Sequence, residues 1–209
     1  MHSYLNQNLK ELILFVALIS SSVIFLIIYF LGGWKWLESI SYQLQNSKIK
    51  HNWFIRFLLI KWEILVLAIL VSLVGIELTV RFGFGYRKFR IAFFTISSLA
   101  ISAVVLYFAK LLIGRVRPTT SERFPDITDS FPSGHTMMTT VIFLSLAILA
   151  FKNDFMILMA ILCIPPIVMG YSRIRAGEHF IDDVVGGWLL GFTCTVGIHL
   201  FYFYYFPFL

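Results

Sequence analysis

Charge is scarce in this chain. Asp, Glu, Lys and Arg make up 13% of 209 residues, against about 25% in soluble domains. So few charges cannot clothe a water-facing surface, which excludes an ordinary soluble globule. Hydrophobic residues make up 59%, and the mean hydropathy is +0.85. Cysteine is nearly missing too. Cys163 and Cys194 both fall in apolar runs and read as small buried side chains. Without a C-x-x-C or a Cys/His zinc spacing, neither a disulfide scaffold nor a zinc module fits. No internal repeat or low-complexity linker divides the chain, so its length suits a single domain over 1–209. No small-residue cleavage site follows the apolar run at 12–31, which is expected to be a retained span. Acidic residues number 11 against 17 basic ones, a net charge of +6. In a membrane chain that excess suits lipid headgroups, positive loops or an anionic substrate, and it calls for no nucleic-acid partner.

What is abundant is apolar sequence in helix-length runs. A bilayer core takes about 20 apolar residues per helix. Runs near 12–31, 57–80, 91–113, 136–151, 155–171 and 184–206 give about six spans. The expected fold is an all-α integral membrane protein. Lys61, Glu63 and Glu77 sit near the ends of the second run, where long side chains reach the interface. Pro165 and Pro166 should kink the fifth. The aromatic cluster after the last run suits the membrane interface. Residues 34–50 differ. Trp34, Leu37, Ile40 and Leu44 recur at helical spacing with polar residues between them. That pattern predicts an amphipathic helix lying in the interface, forming a rim that guides a lipid sideways; a plain solvated loop is the ordinary alternative.

Six spans put both termini on one side and the loops at 32–56, 114–135 and 172–183 on the other. The stretch 81–90 holds Arg81, Arg87, Lys88 and Arg90 and no acid, which favours the cytoplasm. The opposite side is also basic, so charge alone leaves orientation open.

Three polar stretches share that opposite side: "KLLIGRVRP" (110–118), "FPSGHT" (131–136) and "SRIRAGEHFIDD" (172–183). His179 and Asp183 are four apart, one helical face. A carboxylate beside an imidazole sets its tautomer and makes it a base or nucleophile. Such pairs also occur with no function, and a metal site is a further reading. Lys110 and Arg117 are two helical turns apart, if the helix continues past Gly114. With Arg173 they would repel a divalent metal and hold a phosphate. Pro132 and Gly134 predict a tight turn before a helix whose first N–H groups bind anions. Ser133 would add its hydroxyl and its own N–H, and His135 would stand beside the phosphoryl group as a general acid.

In order and spacing these stretches resemble the KxxxxxxRP, PSGH and SRxxxxxHxxxD motifs of the type-2 phosphatidic acid phosphatase family. The resemblance implies that His179 is the nucleophile, forming a phosphohistidine. Asp183 would orient it and His135 would protonate the leaving oxygen. Lys110, Arg117, Ser133, Gly134 and Arg173 would hold the phosphoryl oxygens. It implies no cofactor and no metal, a membrane lipid phosphate as substrate, and a bacterial inner-membrane protein with its site facing the periplasm or outside.

Family members often have a hydrophobic or aromatic residue where Arg175 stands, and an uncharged one where Glu178 stands. These two residues read either as headgroup-binding side chains or as a local salt bridge. The candidate substrates implied are lipid A 1-phosphate, phosphatidylglycerophosphate and undecaprenyl diphosphate, with "RAGEHF" leaning toward the first. A lipid-to-lipid phosphotransferase would use the same residues. So would the haloperoxidases that share this site, but they are soluble. A membrane transporter is the reading from another class; the polar residues crowd one interface rather than lining a route across.

Overall fold

A computed structural model of the chain describes residues 2–32, 35–45, 86–118, 130–152 and 156–205. Seven helical segments occur among them: α1 (His2–Phe30), α2 (Lys35–Leu44), α3 (Tyr86–Ile113), α4 (Gly134–Lys152), α5 (Met156–Leu162), α6 (Ile164–Arg175) and α7 (Ile181–Tyr205). No strand occurs among the described residues. Among the described residues three stretches are long and apolar enough to cross a membrane: Phe94–Ile113, Met156–Arg175 and Ile181–Tyr202. Val16–Phe30 is followed by α2 at 90°, and Gly134–Ile148 is apolar but shorter. The run at 57–80 lies outside the described residues, as do 81–85 and 46–50. Arg87, Lys88 and Arg90 belong to the start of α3 rather than to a loop.

The apolar surface of these helices is turned outward. Ile13, Val16 and Val23 on α1 and Ile101, Val104, Phe108 and Leu112 on α3 are exposed, which suits lipid tails as solvent. The buried side chains of α3 include Thr95, Ser98 and Ser102, spaced three and four apart on one helical face. α7 is the central helix and packs on α1, α3, α4 and α6. Its glycines permit that. A Cβ on Gly187 would stand 2.8 Å from the Ser133 carbonyl oxygen, and one on Gly191 would stand 3.0 Å from that of Met137. Only hydrogen fits there, so α7 and α4 touch backbone to backbone.

Helix ends place the polar residues. α3 stops at Ile113 because Gly114 takes φ 55° and its N–H closes on the Lys110 carbonyl, 3.0 Å, an αL cap. The helix therefore does not continue past Gly114, and Arg117 is reached through irregular chain. The break between α5 and α6 falls at Cys163, just ahead of the prolines, which occupy the first turn of α6, where a missing N–H costs nothing. α6 runs on through Arg175, beyond the expected end at 171. It closes at Gly177 (φ 72°) with Gly177 N–H on Ile174 O, 3.0 Å, and Glu178 N–H on Arg173 O, 3.1 Å, the two bonds of a Schellman ending.

α2 confirms a helix within 34–50, but its inner face is not the expected stripe. Leu37 and Ser41 are buried, whereas Trp36, Ile40 and Tyr42 are exposed.

Candidate active site

The site is built at the end of the bundle where α3 stops, α4 and α7 start and α6 closes. His179 lies in the turn before α7 and Asp183 in the first turn of α7. The two are not on one helix as the four-residue spacing suggested, yet they meet: His179 Nδ1 is 3.7 Å from Asp183 Oδ2. Both are buried, with 1% and 0% exposure. Asp183 Oδ2 also accepts the Phe180 N–H at 2.8 Å. That is a carboxylate at the third helical position reaching back to the cap residue, so helix capping holds the carboxylate in place. The Ser130 hydroxyl donates to the same oxygen at 2.5 Å and stands 3.4 Å from His179 Nδ1.

Burial pushes the His179 imidazole below its ordinary value. Arg117 and Lys110 push the same way, and Asp183 opposes them. The ring is thus favoured neutral, with Nδ1 turned to the carboxylate and Nε2 left for chemistry.

The other sequence-singled residues gather around this pair. Lys110 and Arg173 are buried, Arg173 completely. Arg117 Nη1 lies 3.3 Å and Arg173 Nη1 3.6 Å from Glu178 Oε2. Burial pushes the His135 imidazole down to about 3, and Arg173, His179, Arg117 and Lys110 push the same way; the negative charge of a phosphate held by those cations would offset them and let the ring carry a proton. Its Nε2 is buried and has no hydrogen-bond partner among the described residues. Gly134 starts α4, where a Cβ would come within 3.2 Å of Leu106. Ser133 caps that helix: its carbonyl accepts Met137 N–H at 2.9 Å, and its hydroxyl lies 2.9 Å from that of Thr136. The Ser133 N–H is not available to an anion as the turn alone suggested. It donates to the Asp183 carbonyl at 3.0 Å and ties α4 to α7.

Arg175 departs further from expectation. An extended loop would have pointed it with Arg173 toward a substrate. On the last turn of α6 the two are about 200° apart. Arg173 points inward, and Arg175 Nη1 donates to the Leu44 carbonyl at 2.8 Å. Its place is against α2, so the headgroup contact expected of it is corrected to a helix-holding one. Glu178 pairs with Arg117 and Arg173 rather than with Arg175.

Sequence reasoning missed Arg115 and Ser130. Arg115 Nη1 reaches Asp183 Oδ1 at 2.7 Å and Asp182 Oδ2 at 2.5 Å, and Nη2 reaches Glu38 Oε1 at 2.6 Å. The available signal was an extra cation inside the first polar stretch and an extra acid, Asp182, inside the third. Nothing in the sequence singled out Ser130.

Fold and site together define a class: helical membrane proteins with a cation-lined histidine site at one end of the bundle. Within that class the chain belongs to the PAP2 superfamily, whose family model matches residues 91–207. Over 85 residues it is 33% identical to phosphatidylglycerophosphatase B of Bacillus subtilis (strain 168), a match covering 38% of this chain and 42% of that protein. The matched segment thus spans less than half the length of that curated relative. The fold is similar to the crystal structure of a transmembrane PAP2-type phosphatidylglycerolphosphate phosphatase from Bacillus subtilis. The TM-score is 0.71 and the identity 21%, covering 93% of this chain and 98% of the other.

Proposed function

We propose that this protein is a membrane lipid phosphatase that works through a phosphohistidine, with 1–209 acting as one membrane domain. The observation that carries the reading is the buried His179–Asp183 pair, 3.7 Å apart, set among Lys110, Arg117 and Arg173. In the first step His179 Nε2 attacks phosphorus, the bond to the leaving oxygen breaks, and His135 gives that oxygen its proton. In the second, water attacks the phosphohistidine and returns its proton to His135, and inorganic phosphate leaves. Asp183 holds the Nδ1 proton and balances the charge that grows on the ring. Lys110, Arg117, Arg173, the Ser133 hydroxyl and the first N–H groups of α4 at Gly134 stabilise the phosphoryl oxygens.

The substrate is a lipid phosphate. The name of the curated relative favours phosphatidylglycerophosphate over lipid A 1-phosphate or undecaprenyl diphosphate. The lean toward lipid A rested on the stretch "RAGEHF", whose Arg175 and Glu178 are engaged in contacts inside the protein. A phosphotransferase differs only in the acceptor that replaces water. The site faces the periplasm or outside of a bacterial inner membrane.

Phosphate release by purified protein from a panel of phospholipid, prenyl and lipid A phosphates tests the reading. Wild-type protein should release phosphate and give an acid-labile phosphoenzyme on rapid quenching. His179→Ala should do neither while staying folded and inserted. Substantial residual turnover in that variant sinks the covalent mechanism.

A further inference from the structure

We infer that Arg115 is a positioning residue for the Asp183 carboxylate, and that Glu38 of α2 steadies it from the other side. The inference rests on the phosphohistidine reading. The chain of contacts is continuous: Glu38 Oε1 to Arg115 Nη2, 2.6 Å, then Arg115 Nη1 to Asp183 Oδ1, 2.7 Å, then Asp183 Oδ2 to His179 Nδ1, 3.7 Å.

Division of labour on Asp183 gives Arg115 its role. Oδ2 faces His179 and is held by Ser130 and the Phe180 N–H. Oδ1 takes Arg115. A carboxylate gripped at both oxygens cannot rotate, and rotation would take Oδ2 away from the imidazole. The planar guanidinium suits this task. It also lies 4.2 Å from the Phe180 ring centroid and 5.4 Å from that of Tyr29, which fix its plane. With three carboxylates and two rings around it, Arg115 is committed to the protein.

Glu38 extends the network to the membrane interface. α2 is joined to the catalytic turn at three places. Besides the Glu38–Arg115 pair, the Ile181 N–H donates to Ser41 Oγ at 3.0 Å and Arg175 donates to Leu44 O at 2.8 Å. Tyr42 adds an edge contact with Phe180, centroids 5.6 Å apart. The start of α7, which carries Asp183, is therefore held by the interfacial helix. How α2 sits bears on the orientation of the catalytic carboxylate.

The test is steady-state kinetics on purified Arg115→Gln, Arg115→Lys, Glu38→Gln and the Arg115→Gln/Glu38→Gln double variant, with thermal stability measured alongside. Arg115→Gln should lower kcat about ten- to a hundred-fold, as loss of a supporting contact to a catalytic group does, with KM little changed. Arg115→Lys should recover part of that. Glu38→Gln should have a smaller effect on kcat, and the double variant should be no worse than Arg115→Gln alone. The pH profile adds a readout that a purely structural role would not move. His179 faces Asp183, Lys110, Arg117, His135 and Ser130. Removing a cation beside Asp183 strengthens the pull of that carboxylate on an imidazole proton, so the acid limb of kcat/KM should move to higher pH. A loss confined to KM would make Arg115 a phosphate ligand and overturn the proposal. So would a fall in kcat that merely tracks the folded fraction with an unmoved acid limb, or fully additive Glu38 and Arg115 effects. A wild-type enzyme without an acid-labile phosphoenzyme would instead overturn the nucleophile reading, whatever Arg115 does.

Discussion

At the scale of single residues, the chemistry turns on the state of one ring. In the proposed mechanism His179 attacks only when neutral, and burial with Arg117 and Lys110 holds its pKa below the ordinary value, about 6.5 for a free imidazole. Protonation therefore shuts the enzyme down only at a pH below that value, and the acid limb of kcat/KM should lie there. Asp183 opposes the shift. Asp183→Asn should thus move the limb to still lower pH while reducing kcat by orders of magnitude, since the amide cannot hold the imidazolium that forms. A limb that stays in place in Asp183→Asn would show that His179 is not the titrating group. Arg175→Ala makes the opposite kind of case. Its guanidinium holds the Leu44 carbonyl, so the variant should lose about 1–2 kcal/mol of stability with no preference between a large lipid phosphate and a small phosphate ester. A KM increase confined to the lipid would restore the headgroup role.

At the scale of elements, capping and close packing do the positioning. The turn at 131–134 is fastened from two sides. The Ser133 N–H donates to the Asp183 carbonyl, and Phe131 packs at a tilt on Tyr29 with centroids 4.7 Å apart. α7 approaches closely enough only because Gly187 has no side chain. Gly187→Ala should push on the Ser133 carbonyl and the first turn of α4. We expect about 1–3 kcal/mol of destabilisation and a larger loss of activity than stability alone explains, because Ser133, Gly134 and His135 move together. Normal activity with unchanged melting would mean that α4 and α7 relax freely at this point. The three motifs were legible in the sequence because each needs particular side chains. The helix ends that aim them were not. Whether α3 stopped at Ile113 or ran on to Arg117 depended on the φ of Gly114, and the direction of Arg175 depended on α6 continuing four residues past the expected end.

At the scale of the whole molecule, charge and orientation govern behaviour. In the proposed site Lys110, Arg117 and Arg173 supply the positive charge a phosphoryl group needs, so activity should survive EDTA. Loss on chelation, restored by magnesium or zinc, would point to a metal-dependent reaction. In the proposed orientation, with the site facing outward, Gln43→Cys on α2 should react with an impermeant thiol reagent in intact spheroplasts. Lys88→Cys, at the opposite end of α3 from Lys110, should not. Both belong in a background with Cys163 and Cys194 replaced by serine, and the reverse pattern would invert the topology.

By itself the sequence determined the solvent and the class. Helix-length apolar runs with 13% charge belong in lipid, and three motifs in fixed order mark the family. Those facts are local: composition and spacing survive without coordinates. Only the tertiary structure decided which cation does what. Arg115, Arg117, Arg173 and Arg175 stand within a few residues of one another in two short stretches. The fold sends one to the back of Asp183, two to Glu178 and one to the carbonyl of Leu44. A guanidinium takes the partner that the neighbouring helices bring to it. Those partners, Glu38, Leu44 and Asp183, come from parts of the chain that meet only once it is folded.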